Sequence, residues 1–518
     1  MTDRRDFLTA ALLGAVWPVQ LTASGRARRA RFERDPFALG VASGYPSEHG
    51  VVLWTRLAPD PLLRGAQVAD TDLLVDWELA SDAEFSRIVR RGTAVAEASW
   101  GHSVHVDLDA LPAGQRWFYR FRAGHHLSPV GRTWTAPTTS ELPTPLQIAV
   151  MSCQHYEQGY YHAYRHALDA GVDLFVHLGD YVYENNTATP VRRHDLGECI
   201  TLEDYRLRYG WYRSDPALQA AHAACPWLVT HDDHEVDNDY ANLQSENSAD
   251  QAGMLARRTA AYQAYYEFLP LPRSARPRGP RMSLHRTASV GELLDLHLLD
   301  TRQYRSAQPC PTPPKRGGSR VYLDTCADWL NPSRTMLGER QERWIDSALR
   351  RSRARWNLLG HGVVFTQVDE DAGPRTLHWN DSWTGYPLAR RRLLESIEAS
   401  GVTNPLILGG DIHAFIAADQ RLKWGVADSP IVTSELVTTS VTSGPPPQNV
   451  IDAYNRPDTR DVLFADGRKR GYLQLAITPE RIDAKMVGFE SVRSAEAEAR
   501  VLARFRLEAG TRGLRRTD

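Results

Sequence analysis

DLFVHLGDYVYE, residues 173–184, is the stretch on which the reading of the chain turns. A short apolar run, Leu174-Phe175-Val176, is bounded by charge on one side and by Gly179-Asp180 on the other. Such a run reads as a strand buried on both faces of a parallel sheet. Gly179 permits a sharp exit. Asp180 then stands at the carboxyl end of the strand, where open α/β sheets place their ligand sites. Tyr183 follows three residues later. Alone, an Asp in this position is as readily an exposed turn residue; the pattern gains weight because it recurs.

From Leu146 onward, strands alternate with helical stretches. Residues 146–150 lead into Ser152-Cys153-Gln154-His155, and residues 226–230 into Asp232-Asp233-His234-Glu235. Residues 293–299 end at Asp300-Thr301-Arg302, residues 356–359 at Gly360-His361, and residues 406–408 at Gly409-Gly410-Asp411-Ile412-His413. Residues 161–170, 250–268 and 340–350 read as helices. Strands pointing the same way bring Cys153, Asp180 with Tyr183, Asp233 with His234, His361, and Asp411 with His413 to one rim. Carboxylates, imidazoles, a thiolate and a phenolate are metal ligands, and bridging carboxylates suit two ions a few ångströms apart. A lone strand-end Asp or His is more often structural; their accumulation is what points to a metal site.

Ahead of this lies a different texture. Apolar or alternating runs at Val51–Trp54, Leu73–Trp77, Ser103–Val106 and Trp117–Phe121, separated by turns such as LPAG at 111–114, predict an all-β unit over residues 32–138. Their spacing suggests a β-sandwich of immunoglobulin or fibronectin type. APTTSELPTP at 136–145 is a linker by composition, and residues 146–518 form the second unit. Residues 1–30 read as a leader: Arg4-Arg5 precede Asp6-Phe7-Leu8 and a weakly apolar run from Ala10 to Val19. That pattern is a twin-arginine (Tat) export signal. The run is too short for a bilayer, which needs about 20 residues. The expectation is a periplasmic or extracellular protein, with the Tat machinery as a partner and no membrane span.

At 518 residues the chain exceeds one ordinary core, and 42% hydrophobic with 24% charged residues excludes wholesale disorder. A net charge of -2 provides no global field toward nucleic acid or anionic membrane. No CxxC or HExxH suggests structural zinc. Of five cysteines, Cys310 and Cys326 bracket a Pro/Gly-rich loop and are natural disulfide partners, with Cys199 and Cys225 a second pairing. Cys153 is left over, directly after a buried strand.

GDxxY, then an Asp-His-Glu turn, then a late GxxH turn follow the order of the calcineurin-like metallophosphoesterases and purple acid phosphatases. More specifically, FALGVASGYPSEHGVVLWTRL, SCQ, DLFVHLGDYVYE, THDDHEVDNDYA, LDTRQYR, DSWTGYP and LILGGDIHAF, in this order over residues 37–445, resemble the PhoD-type alkaline phosphatase and phosphodiesterase family. Tyr45 departs from the family's usual Asp, and His361 stands where an amide is common. The resemblance implies an α+β chain: a β-sandwich followed by a four-layer α/β/β/α metallophosphoesterase domain. It implies Fe(III) and Ca(II) as cofactors. Cys153, Asp180, Tyr183 and either His413 or Asp411 would hold the iron. Asp180 would bridge to calcium, completed by Asp233, Asp411 and Asn238. His361 is either a ligand or a neutral pocket donor.

The chemistry expected is hydrolysis of phosphate mono- or diesters by metal-activated water. His234 would protonate the leaving oxygen or stabilise charge. Arg302 would clamp a phosphate oxygen or pair with Asp300. Trp383 and Tyr386 would wall the pocket or pack in the core. The alternatives are a phospholipase- or nuclease-like phosphodiesterase on the same scaffold, and a non-catalytic cell-wall binding protein.

Overall fold

The computed structural model describes residues 27–66, 68–138 and 145–518. The twin-arginine pattern and most of the 136–145 linker lie outside these residues. Two mixed sheets carry the fold. In the ten-stranded sheet, Leu146–Met151, Leu174–His177, Trp227–Val229 and Val41–Gly44 run parallel at the centre. In the seven-stranded sheet, Leu294–Leu298, Trp356–Gly360, Pro405–Gly409 and Ile431–Val437 do the same. Antiparallel strands complete the edges of both.

Alternation along the strands distributes their side chains. Val150, Leu174, Val176 and Leu228 meet Leu296, Leu298, Leu358 and Leu408 in one apolar core between the sheets. Phe175 and Trp227 point the other way, into a core with Tyr164, Tyr209 and Tyr265 of helices His162–Asp169, Leu202–Arg213 and Gln251–Phe268. Leu359 and Ile407 likewise pack against Ile345 and Leu394 of helices Gly338–Arg351 and Pro387–Ser400. Burial on both faces is why these strands appear as unbroken apolar runs.

The elements anticipated from residue 146 onward are present, but the expected single rim is not. The strands after which Cys153, Asp180 and Asp233 stand belong to one sheet. Those preceding His361, Asp411 and His413 belong to the other.

The front of the chain also differs. Leu73–Ala80, Ile88–Ala96, Arg116–Ala123, His126–Leu127 and Gly131–Trp134 form a separate five-stranded sheet. It packs through Val75, Leu79 and Phe121 on Val41, Leu53 and Val106. Those partners lie on strands of the ten-stranded sheet, which crosses the 138/146 boundary through the parallel pairing of Gly44 with Trp227. What faces the small sheet is thus an extension of the large one, not a second sheet of its own.

Cys310 and Cys326 are joined, with Cα atoms 5.9 Å apart. Cys199 and Cys225 are both free and buried, so the second pairing does not form; Cys153 is also free and buried. Trp383 and Tyr386 are core residues, with the Tyr386 hydroxyl donating to the Ser306 carbonyl. Among the described residues, no helix is long and apolar enough to cross a membrane.

The seam at Gly44 has little room. A Cβ there would sit 2.5 Å from the Pro270 carbonyl oxygen and 2.8 Å from that of Trp227. Gly44→Ala is expected to lower stability by about 1–3 kcal/mol, as overpacking does, in urea unfolding. An unchanged midpoint would show that the seam gives way freely.

Candidate metal centre

The strand-end residues share an unusual backbone. Cys153, Asp180, Asp411 and His413 have φ of 56°, 55°, 67° and 57°, the left-handed region that non-glycine residues enter at a cost. Such strain, roughly 1–3 kcal/mol per residue, persists only where the surroundings enforce it. Here they do. The Cys153 N–H donates to the Gly179 carbonyl (3.2 Å), and the Gln154 N–H to the Asp180 carbonyl (3.0 Å). Gly179 has φ 118°, and a Cβ on it would lie 2.5 Å from the Asp232 Cβ, so this position is closed to larger residues. Fully buried Glu235 accepts the backbone N–H groups of Asp180 (3.0 Å), Tyr181 (2.6 Å) and Asp232 (2.9 Å).

So held, the side chains form three adjoining groups, each with ligand atoms within 4.8 Å of one another: Cys153 with Asp180 and His413; Asp180 with Asp233 and His234; Asp232 with Asp233 and Asp411. Asp180 belongs to the first two and Asp233 to the last two. Tyr183 joins the first: its hydroxyl donates to Asp180 Oδ2 (3.0 Å) and lies 3.1 Å from His413 Nε2. His413 Nδ1 donates to the Gly444 carbonyl (2.7 Å), which leaves Nε2 as a neutral lone pair facing the group. Burial, with Arg470 and His234 nearby, pushes the His413 imidazole down to about 3.

The centre is short of positive charge. Burial, then neighbouring carboxylates, holds the Cys153 thiol, the Tyr183 phenol and the Asp411 carboxyl well above their usual ranges. Burial also raises Asp180, although His234 pulls against it. Asp180 Oδ1 is buried without a hydrogen-bond partner, and Asp233 Oδ1 has only the Arg302 guanidinium, 3.3 Å away. Buried carboxylate oxygens left so are costly unless a cation meets them, and the donor set fits metal ions.

His234 borders the cluster. Its Nδ1 lies 2.7 Å from Glu184 Oε2, and its ring lies against Tyr183, tilted by 32°, with centroids 4.1 Å apart. Burial disfavours its charge, but Glu184, Asp180 and Asp233 outweigh burial and hold the imidazolium well above the ordinary histidine range.

Arg302 departs from both of its expected roles. It is fully buried, donates to both Asp232 oxygens (2.6 and 3.0 Å) and to Asp381 Oδ2 (2.7 Å), and stands 3.3 Å from Asp233. This guanidinium is committed to carboxylates, not open to a phosphate. Asp300 instead caps the N–H groups of Arg302 and Gln303 and pairs with His231 at 3.4 Å. His361 is not brought into the three groups: it sits fully buried between Trp383 and Phe365, with ring centroids 5.8 and 6.3 Å away. Asn238 meets the centre through its backbone N–H, donated to Glu184 Oε1 (3.0 Å).

Sequence reasoning left out Asp232, Glu184, Glu235, Asp239 and Asp381. All five sit inside the stretches quoted for the resemblance. Their signal was the further acids in THDDHEVDNDYA, DLFVHLGDYVYE and DSWTGYP. Asp239, held up by burial and by Asp381 and Asp233, accepts the Gly318 N–H (3.1 Å) at the rim.

The family described as PhoD-like phosphatase matches residues 148–486, and its N-terminal domain matches residues 22–137. Alkaline phosphatase D of Bacillus subtilis (strain 168) is 41% identical over 503 residues, which cover 94% of this chain and 83% of that protein. A solved structure of PhoD superposes with a TM-score of 0.87 at 39% identity, covering 94% of this chain and 93% of that one.

Two outcomes follow from the geometry. Glu235→Gln places an amide against three N–H donors and should cost about 3 kcal/mol or more, read by urea unfolding. The His231–Asp300 pair sets a pH dependence. Burial opposes the charge on His231, but Asp300 outweighs it and raises the imidazole to about 9. This folded value lies above the usual ~6.5, so the stabilisation is complete below about pH 6.5 and fades as pH rises through about 9, worth about 3 kcal/mol. The Tm gap between the parent and Asp300→Asn should therefore be widest near pH 6 and shrink by pH 10. A pH-independent gap would overturn the assignment.

Proposed function

The chain belongs to the PhoD-like phosphatase family and is a phosphoric ester hydrolase, and we propose that its acidic centre works with Fe(III) and Ca(II). Cys153, Asp180, Tyr183 and His413 would hold the iron, because thiolate and phenolate are anionic donors suited to a trivalent ion. Asp180 would be shared with oxygen-rich calcium positions built from Asp233, Asp232 and Asp411, with Asn238 at their edge. The observation that carries this reading is the buried Asp180 Oδ1, which has no hydrogen-bond partner and belongs to two adjoining ligand groups. Bound there, the ions would neutralise charge on the phosphoryl oxygens and lower the pKa of a water from ~15.7 toward ~7.

The chain's own residues supply the rest. Glu184 occupies His234 Nδ1, so Nε2 is the ring nitrogen left to give its proton to the leaving oxygen. The carboxylates around His234 keep that proton in place before reaction. Arg302 positions Asp232 and Asp233 and offsets part of their charge. His413, with Nδ1 tied to a carbonyl, presents one fixed nitrogen.

The scaffold belongs to the same reading. Three apolar cores support a helix, sheet, sheet, helix stack, the four-layer arrangement, with the small front sheet closing a β-sandwich against its edge. Export by the Tat route to the periplasm or cell exterior is proposed from Arg4-Arg5 and the run after them. A reporter fused behind residues 1–30 should lose export when Arg4-Arg5 become Lys-Lys.

Elemental analysis of protein purified without chelator should find iron and calcium, with visible absorption that Tyr183→Phe bleaches; a colourless protein holding only zinc overturns the assignment. Parallel rates on chromogenic mono- and diesters will assign the ester class. Asp180→Asn should be metal-poor and inactive. His234→Ala should keep its metal and lose about 10²–10⁴ in kcat. If His234→Ala loses metal as fully as Asp180→Asn, His234 is a ligand and not the proton donor.

A further inference from the structure

One hydrogen bond from the acidic centre, the chain opens onto a cavity of opposite charge. The Asn242 N–H donates to the Arg302 carbonyl (3.0 Å), and Asn242 itself lines a cleft of about 1240 Å3. Arg258, Arg276, Arg278, Arg281 and Arg340 line it, against one carboxylate, Glu339. Arg276 is paired with Glu97 (2.7 Å), and Glu339 lies 3.3 Å from Arg343. Among the described residues, the other four arginines have no carboxylate within ion-pair distance.

Arg258 is the telling member. It is 5% exposed, and its Nη1 donates only to the Asn242 carbonyl (2.8 Å) and Oδ1 (3.2 Å). Its Nε is buried without a partner. Arginine buried without a carboxylate carries an uncompensated desolvation cost, and this one borders open space. The remaining cations come from other walls. Arg278 and Arg281 face each other across a tight turn (backbone N–O 2.8 Å). Arg340 lies in the first turn of helix Gly338–Arg351, whose N-cap, Leu337, supplies no side-chain acceptor. That helix end adds partial positive charge. The Tyr304 phenol marks the convergence: burial and Asp300 raise it to about 12, while Arg258, Arg340 and Arg281 all pull it down.

We propose that this cleft binds a small anion carrying several phosphate groups. Guanidinium forks match tetrahedral oxyanions. The cations are spread over three walls of a cavity as large as those that hold whole drug-sized ligands, so a single phosphate would leave most of them unused. The site is separate from the metal centre and does not depend on which metals sit there.

The probe is sucrose octasulfate, whose sulfate esters keep the oxyanion geometry and offer a phosphoesterase no phosphoryl group. Calorimetry on the metal-replete, full-length protein should give saturable, salt-sensitive binding. The triple variant Arg278→Ala/Arg281→Ala/Arg340→Ala removes exposed side chains only and should weaken binding about tenfold or more. Its Tm, and its kcat and KM on a small chromogenic monoester, should stay at the parent values. Unchanged affinity in the triple variant overturns the proposal. So does equal weakening in a matched variant that removes the exposed Arg87, Arg91 and Arg353, which would make the binding diffuse electrostatics.

Discussion

The Glu235 carboxylate, with no exposure to solvent, links the loops that follow two neighbouring parallel strands. Its partners are three backbone N–H groups, from Asp180, Tyr181 and Asp232. Because the link runs through main chain, the side chains of Asp180 and Asp232 stay available for other work. An anion in a dry interior is tolerable when several fixed dipoles point at it. Those same dipoles hold Asp180 in a left-handed conformation it would not choose alone. Shape of the loop and solvation of the glutamate are one arrangement.

Around that link the charges do not balance. Asp232, Asp233 and Asp381 share one fully buried guanidinium, Arg302, and Arg305 adds a second contact to Asp381. Asp180, Asp239 and Asp411 remain, all held toward their neutral forms by burial and then by neighbouring carboxylates, Asp233 common to all three. Without cations, such a cluster would keep its protons and lose its function as a ligand set. Metal binding and the ionisation of the site are thus coupled equilibria.

Much of this was legible in the chain. Strands buried on both faces are continuous apolar runs, so Leu174–His177 and Pro405–Gly409 declared themselves, and the residues directly after them were natural ligand candidates. Pairing over long separations was not legible. Asp300 stands two residues from Arg302 and invited an ion pair, yet the arginine reaches Asp381, 79 residues away. His361 follows its strand with the same grammar as Asp411. Leu359 and Ile407 both face the helix side, so alternation puts His361 and Asp411 alike in that series; Asp411 leaves it at a left-handed residue (φ 67°), and His361 does not. Which face of a strand is inner depends on the second sheet, and nothing local specifies that.

The sheet that crosses from the front of the chain into its centre also orders events during synthesis. Val41–Gly44 emerges early, but its parallel partner, Trp227–Val229, is made much later. Leu146–Met151 must wait longer still for Arg470–Ile477, its antiparallel neighbour. Contacts of such sequence separation form slowly, and until they form the central strands present unpaired edges. A chain built this way completes its main sheet only when nearly all of it has been made. A truncated product would therefore be an open-edged, aggregation-prone fragment, not a smaller version of the enzyme.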